Sequence, residues 1–493
     1  MLDRAQKRTG KSDDALLFER VAGEVAALID RGALRPGDRL PSVRKLSRDR
    51  SVSVATVIAA YTRLECEGRV EARPKSGHFV RRTSVVQSAP AQRPPRLALS
   101  PARVSVSSGV AALVESMRDP AVVPLGAAMV APELLPIRAL NRILASLARE
   151  MSTAGASYVP PPGVVSLRRQ LAKRGLSCGL SLDEDDFVIT IGAMEGLHLA
   201  LRAVTKPGDT IAVASPTYFG LLQLAEEMNL RVIEIPSRPR FGLDVDALEM
   251  VLDQAPVKAC LAVANFDNPL GALMSDEDKA RMVELLERHE VPLIEDDIYG
   301  DLGFDGSRPR PAKAFDRAGR VILCGSASKT IAAGYRVGWV AAGRYQPTIE
   351  RLKFSQTVAT PTLMQMAIAE YLASGAYDRH LRHLRSALAS QVQRYRAAIA
   401  SAFPPGTRIS EPLGGFVLWV ELPGTISALE LQAAALARGI AIAPGPIFGA
   451  RPRYRSALRI TCGSPWSPRM ESAIAELGEL AYAELARSST ARA

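Results

Sequence analysis

The stretch 326–339 combines side chains that can bind a phosphorylated aldehyde. Ser326, Ser328 and Lys329 directly follow an apolar run, and Arg336 comes seven residues after the lysine. A lysine amine can form a Schiff base with a carbonyl, and hydroxyls with a guanidinium supply the donors that a phosphate dianion needs. A bare Ser-x-Lys is more often an ordinary surface loop after a strand, so this interpretation depends on the rest of the chain.

Two other predicted strand ends carry groups that suit the same ligand. A helix is predicted to open at Gly192-Ala193-Met194, and its free backbone N–H groups can hold a phosphate. A glycine that serves close packing alone is the alternative there. Tyr218 follows the next strand and can stack on a flat ring, although core packing explains it equally well.

Polar groups also follow the third and fourth strands, at Asn268, Asp296 and Tyr299. A carboxylate at a strand end can bind a pyridinium N–H and keep it protonated, which makes the ring an electron sink. The amide of Asn268 and the phenol of Tyr299 can bond a ring oxygen. A helix N-cap is the ordinary role of an aspartate such as Asp296. Five successive strand ends, each with a group that a pyridoxal ring can use, favour a cofactor site.

The elements that must position these groups alternate from about residue 122 onward. Short apolar strands with intervening helices predict an α/β fold with a mostly parallel sheet covered on both faces. Ligands of such sheets bind beyond the carboxyl ends of the strands. After a helical region at about 346–403 the pattern becomes mixed, and we assign a smaller α+β subdomain to about 390–487. The predicted strands of the sheet are 187–191, 210–214, 260–264, 291–294, 321–324 and 337–341.

Length and composition narrow the class of protein. The 493 residues are enough for roughly three compact units. The five cysteines form no Cys-x-x-Cys pair, which argues against a disulfide framework or zinc site and suits a reducing cytoplasm. No apolar run approaches the ~20 residues that span a bilayer. We therefore expect a cytoplasmic protein without a membrane segment.

The positive charge is concentrated near the amino end. The net charge is +11, and residues 1–82 hold 18 Lys/Arg against 11 Asp/Glu, a surplus of +7. Residues 83–119 add 4 against 2, so the remaining 374 residues carry only +2. This asymmetry indicates a nucleic-acid-binding domain on a nearly neutral body, with solvated surface charge as the alternative.

The basic segment has the pattern of a winged helix-turn-helix. A helix from Leu16 to Gly32 precedes a short helix at about 43–49 with Ser42 as its N-cap, and Ser53 can cap a second helix at 54–66. Apolar side chains of that helix form an inward stripe, and small ones are predicted to face outward, where they allow close entry into a major groove. The alternating segments 68–73 and 77–81 predict a hairpin that adds a basic wing. The inward stripe is Val57, Ala60, Tyr61 and Leu64, and the outward residues are Ala55, Thr56 and Ala59.

Residues 15–82 resemble the winged helix-turn-helix of GntR-type bacterial regulators, through Leu-Pro-Ser-Val-Arg-Lys-Leu at 40–46 and the run at 53–68. The resemblance implies that Arg44, Thr56 and the wing around Gly77 contact DNA. Val54 departs from the family, which usually has an arginine at the start of the recognition helix, so base recognition is expected to differ. A winged helix that has lost DNA binding or binds protein is the minor alternative. Residues 83–121, rich in Ser, Pro, Ala and Val, are predicted to form a partly extended linker.

Residues from about 122 to 487 resemble the fold-type I aminotransferases that depend on pyridoxal 5'-phosphate. Asn-Pro-x-Gly at 268–271, Asp-x-x-Tyr at 296–299 and Ser-x-Ser-Lys at 326–329 occur together with Arg336. This combination is specific, because each motif supplies a different part of one cofactor site.

That resemblance implies a role for each matching residue. Lys329 would form the internal aldimine, Tyr158 would reach the phosphate of the partner subunit, and Arg459 would bind the α-carboxylate of an amino acid. The other contacts would be Asp296 with the pyridine nitrogen, Asn268 and Tyr299 with the phenolic oxygen, Tyr218 with the ring, and Ala193, Met194, Ser326, Ser328 and Arg336 with the phosphate.

One residue departs from the family pattern, and a pair of histidines has to be considered as a metal site. Ala193 replaces a residue that often has a hydroxyl, which should weaken cofactor binding by about 1 kcal/mol. His380 and His383 lie at i, i+3 spacing without an evident third ligand, so we predict surface residues and no metal site.

The two halves together resemble the MocR subfamily of GntR regulators. The resemblance implies a transcription factor that binds pyridoxal 5'-phosphate, senses an amine or amino acid through the Lys329 aldimine, and recognises an operator in double-stranded DNA. It also implies a homodimer, head-to-tail by analogy. A working aminotransferase with a DNA-binding head, and a cofactor-free dimerisation scaffold, are the alternative hypotheses.

Overall fold

A computed structural model of the chain describes residues 10–66, 69–73, 76–80, 97–150, 156–424 and 426–490. The chain divides into two compact units, one of residues 1–86 with 389–401 and the other of residues 87–388 with 402–493. We call the described residues 10–80 the head and the second unit the body. The predicted linker segment 83–96 and the turn residues Pro74 and Lys75 lie outside the described residues.

Within the described residues, the head consists of three helices and a hairpin, as the sequence predicts. The hydroxyl of Ser42 accepts the N–H of Lys45 at 3.3 Å and caps the second helix. The hydroxyl of Ser53 accepts the N–H of Thr56 at 3.0 Å and caps the third. The antiparallel hairpin pairs Val70 with Val80. The elements are α1 (Gly10–Asp30), α2 (Val43–Asp49), α3 (Val54–Cys66), β1 (Val70–Arg73) and β2 (Gly77–Val80).

The inward stripe of α3 is confirmed, but the predicted outward position of Thr56 is wrong. Thr56 is only 6% exposed, and its hydroxyl lies 2.7 Å from that of Ser53. The buried side of α3 is wider than its apolar side chains alone indicate, because Thr56 is buried by its contact with the N-cap Ser53. The side chains of the predicted stripe, at 57, 60, 61 and 64, are at most 1% exposed.

The body is built on a mixed sheet whose central strands are parallel, which confirms the predicted fold class. The strand order is β3-β7-β6-β9-β10-β11-β12-β5, with β8 paired to β7. The pairs β7–β6, β6–β9, β9–β10 and β10–β11 are parallel. Since β12 is antiparallel to both β11 and β5, those two strands also point the same way. The strands are β3 (Ala102–Arg103), β5 (Phe187–Thr190), β6 (Thr210–Ser215), β7 (Arg231–Arg238), β8 (Gly242–Leu243), β9 (Ala259–Ala262), β10 (Leu293–Asp296), β11 (Val321–Ser326) and β12 (Gly338–Ala341).

Helices cover both faces of this sheet, so its strands are apolar on both sides. Ile211 and Val213 pack into one core, whereas Ala212 and Ala214 of the same strand pack into the core on the other face. The helices from the linker to the end of the chain are α4 (Ser107–Ser116), α5 (Ile137–Glu150), α6 (Val165–Gly175), α7 (Gly192–Val204), α8 (Phe219–Glu227), α9 (Val245–Gln254), α10 (Asp276–Arg288), α11 (Gln346–Thr357), α12 (Thr362–Ala373), α13 (Ala376–Ala402), α14 (Ala428–Ala437) and α15 (Pro468–Thr490).

The second part of the predicted linker is folded onto the body. β3 pairs with β7 at the sheet edge, and α4 buries Val110 and Leu113. The carboxylate of Glu226 accepts hydrogen bonds from the N–H groups of Val106 and Ser107 at 2.9 and 3.1 Å, at the start of α4. Residues 97–121 are therefore folded onto the body, and the prediction of a partly extended linker is wrong for them.

The remaining strands form two small sheets. One is antiparallel, in the order β13-β14-β17-β16, and the other pairs β15 with β4 in parallel. Within the described ranges, no helix is both long enough and apolar enough to cross a membrane. The strands are β4 (Val123–Pro124), β13 (Arg408–Ile409), β14 (Val417–Glu421), β15 (Ile440–Ala441), β16 (Ala443–Pro444) and β17 (Ala457–Thr461).

Candidate functional site

Hydroxyl, guanidinium and helix N–H groups converge where β11 and β5 end. The hydroxyls of Ser326 and Ser328 lie 2.8 Å apart, and Arg336 donates to the Ser328 hydroxyl at 3.4 Å. The same guanidinium donates to the Ile191 carbonyl, also at 3.4 Å, just before α7 begins. A doubly charged anion here would meet a cation, two hydroxyls and a helix N-terminus.

Glycines allow this close approach. Gly192, the first residue of α7, has φ +71°, and a Cβ there would overlap the guanidinium of Arg336. A Cβ on Gly338 would lie 2.5 Å from the carbonyl carbon of Gly192 and 2.8 Å from the nitrogen of Ala193. Side chains at either position would push β12 and Arg336 away from the start of α7.

Lys329 is half-buried, and its amine lies next to the main chain near Ala128. Its Nζ donates to the carbonyl of Ala128 at 2.7 Å. Burial, with the positive charge of Arg459 as the next cause, lowers the pKa of Lys329 to about 8. A larger fraction of this amine is thus neutral and nucleophilic near neutral pH than of an exposed lysine.

Asp296 ends β10 with a carboxylate that lacks a full set of partners. The residue is 3% exposed, and its Oδ1 is buried without a hydrogen-bond partner. Burial, reinforced by the adjacent charge of Asp297, raises the pKa of Asp296 to about 7. A buried acceptor left unpaired is costly, so the position suits a ligand that brings a donor or a cation.

A chain of hydrogen bonds leads from Tyr299 to Arg459. The Asn268 amide donates to the hydroxyl of Tyr299 at 3.4 Å, and its oxygen accepts from Nη1 of Arg459 at 3.2 Å. Nη2 of Arg459 donates to the carbonyl of Gly126. Burial raises the pKa of Tyr299, which keeps its hydroxyl protonated and able to donate.

Arg459 is a fully buried cation, with an exposed fraction of 0%. Burial lowers its pKa to about 10, and its Nε has no hydrogen-bond partner. Among the described residues, no carboxylate forms an ion pair with it. Since an isolated charge is unfavourable in an apolar interior, the site is built to receive an anion.

Nearly all of the predicted cofactor and effector residues line a single cavity of about 430 Å³. Tyr158 is the exception in this chain: it is 81% exposed and lies outside the cavity lining. Its predicted contact with a partner subunit stays a prediction. The predicted residues that line the cavity are Ala193, Met194, Tyr218, Asn268, Asp296, Tyr299, Ser326, Ser328, Lys329, Arg336 and Arg459.

Sequence reasoning missed a charged network next to Asp296. Asp297 accepts a hydrogen bond from Asn265 Nδ2 at 2.9 Å and forms an ion pair with Arg308 at 2.6 Å. Its own N–H donates to the carbonyl of Cys324 at 2.9 Å, on the neighbouring strand. The network fixes the main chain that carries Asp296. The only available signal was the Glu-Asp-Asp run at 295–297.

The two histidines differ in position. His383 is exposed as predicted, but His380 is half-buried, and its Nε2 lies 2.8 Å from the carbonyl of Thr330. His380 therefore contacts the residue that follows Lys329. Within the described part of the chain, no group of three or more His, Cys, Asp or Glu side chains is arranged to hold a metal ion.

In the head, the predicted DNA-contacting residues have different exposures. Arg44 on α2 and Gly77 at the start of β2 are exposed, and Gly77 has φ +104°, a conformation that favours glycine. Thr56 is buried and is occupied by its contact with the N-cap. The exposed side of α3 carries Val54 and Ile58 instead, at 46% and 51% exposed.

The chain matches two known families. Residues 134–476 match the family described as aminotransferase class I and II. Residues 17–80 match the family described as bacterial regulatory proteins, gntR family. The first match covers well over half of the chain.

Two relatives match the chain along almost its whole length, and a solved structure matches a large part of it. The uncharacterized HTH-type transcriptional regulators YdcR and YjiR of Escherichia coli (strain K12) are 37% and 36% identical to the chain, and each alignment covers 94% of this chain and 98% of the relative. Among solved structures, a kynurenine aminotransferase of Pyrococcus horikoshii in complex with PMP is 28% identical, with a TM-score of 0.72 over 77% of this chain and 95% of that one.

Proposed function

Because the chain belongs to the aminotransferase class I and II family and carries a GntR-family head, we propose that it is a transcriptional regulator whose body binds pyridoxal 5'-phosphate and senses an amine or amino acid. The regulatory role agrees with the HTH-type transcriptional regulators that match the chain along almost its whole length. Cofactor binding and effector sensing are our proposals.

One observation carries the sensing part: a partly buried amine shares one cavity with a buried carboxylate oxygen and a buried guanidinium nitrogen that have no hydrogen-bond partner. Lys329 has a pKa lowered to about 8, Asp296 has an unpaired oxygen, and Arg459 is buried without a carboxylate. A body that served only as a scaffold would gain nothing from a buried carboxylate with an unpaired oxygen and a buried guanidinium without a carboxylate, each of which costs stability.

The residues present fit pyridoxal 5'-phosphate. The unpaired Oδ1 of Asp296 suits a pyridinium N–H, and Ser326, Ser328 and Arg336 at the start of α7 suit a phosphate. The absence of a hydroxyl at Ala193 removes one donor of the set, and the rest are in place.

When bound, the cofactor supplies an aldehyde that condenses with amines and a ring that withdraws electrons. Lys329 provides an amine that is partly neutral near pH 7, because burial opposes its protonation. Arg459 binds and orients a carboxylate, whose charge offsets the unfavourable burial of the guanidinium. Asp296 holds a proton between its carboxylate and the group that it faces. Lys329 would hold the aldehyde of the cofactor, and a ligand bound at Arg459 could shift the conformation of the body if its contacts differ between two conformations.

Absorption spectroscopy tests cofactor binding. Purified protein with added pyridoxal 5'-phosphate should show the visible band of a lysine-bound cofactor, and Lys329→Ala should abolish that band. Addition of an effector amine should change the band of the unsubstituted protein. If the unsubstituted protein shows no such band, the proposed sensing mechanism is wrong.

An active aminotransferase is the second candidate function, favoured by the presence of Lys329, Asp296, Tyr299 and Arg459 in one cavity. Single-turnover conversion of the cofactor to its amine form, followed by rapid turnover with an α-keto acid, would support it. A regulator alone should convert the cofactor slowly or stop after binding.

The head and the exposed Tyr158 indicate two partners, which are DNA and a second subunit. We propose that the protein binds an operator in double-stranded DNA through Arg44, the exposed side of α3 and the wing at Gly77. We also propose a head-to-tail homodimer, in which the 81% exposed Tyr158 contacts the partner subunit. Such a regulator acts on the chromosome, so we place it in the cytoplasm. Footprinting with Arg44→Ala and sedimentation of the full chain test these two points.

A further inference from the structure

We propose that the effector is an α-amino acid with a large apolar side chain, which packs against α4 and Met129. The inference rests on the proposed function, because it assumes that the ligand's amine meets the cofactor at Lys329. It goes further by assigning the chemical class of the side chain. The argument uses the direction of the ligand, the composition of the wall, and the charges that remain available.

The segment Gly126–Met129 fixes the direction of the ligand. Lys329 donates to the carbonyl of Ala128 at 2.7 Å, and Arg459 donates to the carbonyl of Gly126. A ligand whose amine lies near Lys329 and whose carboxylate lies at Arg459 must therefore extend alongside this segment. Its side chain then faces the part of the cavity that Met129 and α4 border.

That part of the cavity has an apolar wall. Val110, Leu113, Val114 and Met117 of α4 line it at i, i+3, i+4 and i+7 spacing, together with Met129. Val114, Met117 and Met129 are 47%, 48% and 46% exposed, which is unusual for three large apolar side chains around one cavity. An apolar ligand side chain would remove this surface from water.

The charged groups of the lining are already committed. They are Asp296, Lys329, Arg336 and Arg459, which face the cofactor ring, the aldehyde, the phosphate and the α-carboxylate in the proposed arrangement. Among the described lining residues, Gln223 is the polar side chain that remains without such a role. A charged ligand side chain would thus lie against methionine and valine without an ion partner, whereas an apolar one would cover their exposed surface.

The wall is a fixed part of the body. Glu226 accepts hydrogen bonds at the start of α4, including one from the hydroxyl of Ser107 at 2.9 Å. A Cβ on Gly126 would lie 2.5 Å from Cδ1 of Leu113, so α4 packs tightly on the segment that Arg459 and Lys329 contact. The helix therefore presents a defined apolar surface to a ligand.

Titrations of the full-length protein loaded with pyridoxal 5'-phosphate test the proposal. The readout is the change in the visible band with L-leucine, L-phenylalanine, L-alanine, L-aspartate or L-lysine. Leucine should half-saturate at a concentration at least about tenfold below that for alanine, because each buried methylene contributes about fourfold in affinity. Aspartate and lysine should bind no better than alanine.

Val114→Asp should remove the preference for leucine over alanine while alanine still changes the band. Leu176→Asp is the matched control, because Leu176 is 69% exposed outside the cavity lining, and it should keep the preference. If aspartate or lysine binds more tightly than leucine, the side-chain assignment is wrong but sensing stands. If the loaded protein shows its band and none of the amino acids changes it, both the assignment and the proposed sensing fail.

Discussion

Replacing Arg459 with methionine should weaken amino-acid binding strongly and leave protein stability nearly unchanged. The guanidinium is fully buried, and burial lowers its pKa to about 10 from 12.5. That difference corresponds to about 3 kcal/mol of unfavourable free energy for the charged form in the ligand-free protein. A carboxylate bound to Arg459 can offset this cost, so its loss should weaken binding by about 100-fold.

The stability of the ligand-free variant is the second part of this prediction. Methionine fills a similar volume and removes the uncompensated charge, which is stabilising. It also leaves the Gly126 carbonyl and the Asn268 oxygen without the donors they now have, which costs about 1–3 kcal/mol each. These opposing effects are of similar size, so thermal unfolding should shift by only a few degrees.

A pair of ligands separates the carboxylate from the rest of the molecule. L-Leucine and 3-methylbutylamine share an amine and an apolar chain, and only leucine has a carboxylate. The Arg459→Met protein should lose about 100-fold in its response to leucine and little in its response to the amine, when both are followed through the visible band of the bound cofactor. Equal losses for the two ligands, or no loss for leucine, would refute the role of Arg459.

Three further predictions concern the head and the lysine. Arg44→Ala should weaken binding to all DNA sequences and reduce the slope of log affinity against log salt concentration by about 1. Thr56→Ala should instead lower the stability of the head by about 1 kcal/mol without changing that slope. If Thr56→Ala weakens DNA binding and leaves stability unchanged, Thr56 contacts DNA after all. Val54 and Ile58 should contact thymine methyl groups. Replacing thymine with uracil in a DNA site selected from a random pool should therefore weaken binding by the unsubstituted protein several-fold. The same replacement should not weaken binding by the Val54→Ala, Ile58→Ala double variant. Since burial lowers the pKa of Lys329 to about 8, the fraction of molecules with a neutral amine should rise from about one tenth at pH 7 to about nine tenths at pH 9. The rate at which cofactor-free protein captures pyridoxal 5'-phosphate should rise with the same midpoint, near pH 8. A rate independent of pH would contradict this.

The sequence predicts most of the residues that line the cavity, because short-range patterns determine where they lie. Apolar runs bounded by polar residues give the strands, and residues at their ends, such as Asp296 and Ser326, reach one edge of the sheet because the strands point the same way. Likewise, α2 and α3 begin and end at the predicted residues, because serine caps mark their starts. Local chemistry is sufficient for these features.

What the sequence does not predict depends on contacts between distant residues. Lys329 bonds the carbonyl of Ala128, 201 positions away, and no spacing rule indicates this pair. The burial of Thr56 depends on the geometry of its cap. By contrast, α4 could have been found, since its apolar residues have helical spacing from Val110 to Met117, but the many serines, valines and prolines around it indicate a linker.

The central claim is that a ligand at Lys329 controls DNA binding by the head. The most direct measurement is the DNA affinity of the full-length protein, loaded with pyridoxal 5'-phosphate, with and without an amino acid that changes its visible band. The ligand should change the affinity of the unsubstituted protein for its selected DNA site and leave that of the Lys329→Ala protein unchanged. An equal ligand effect in both proteins, or none in either, would contradict the claim.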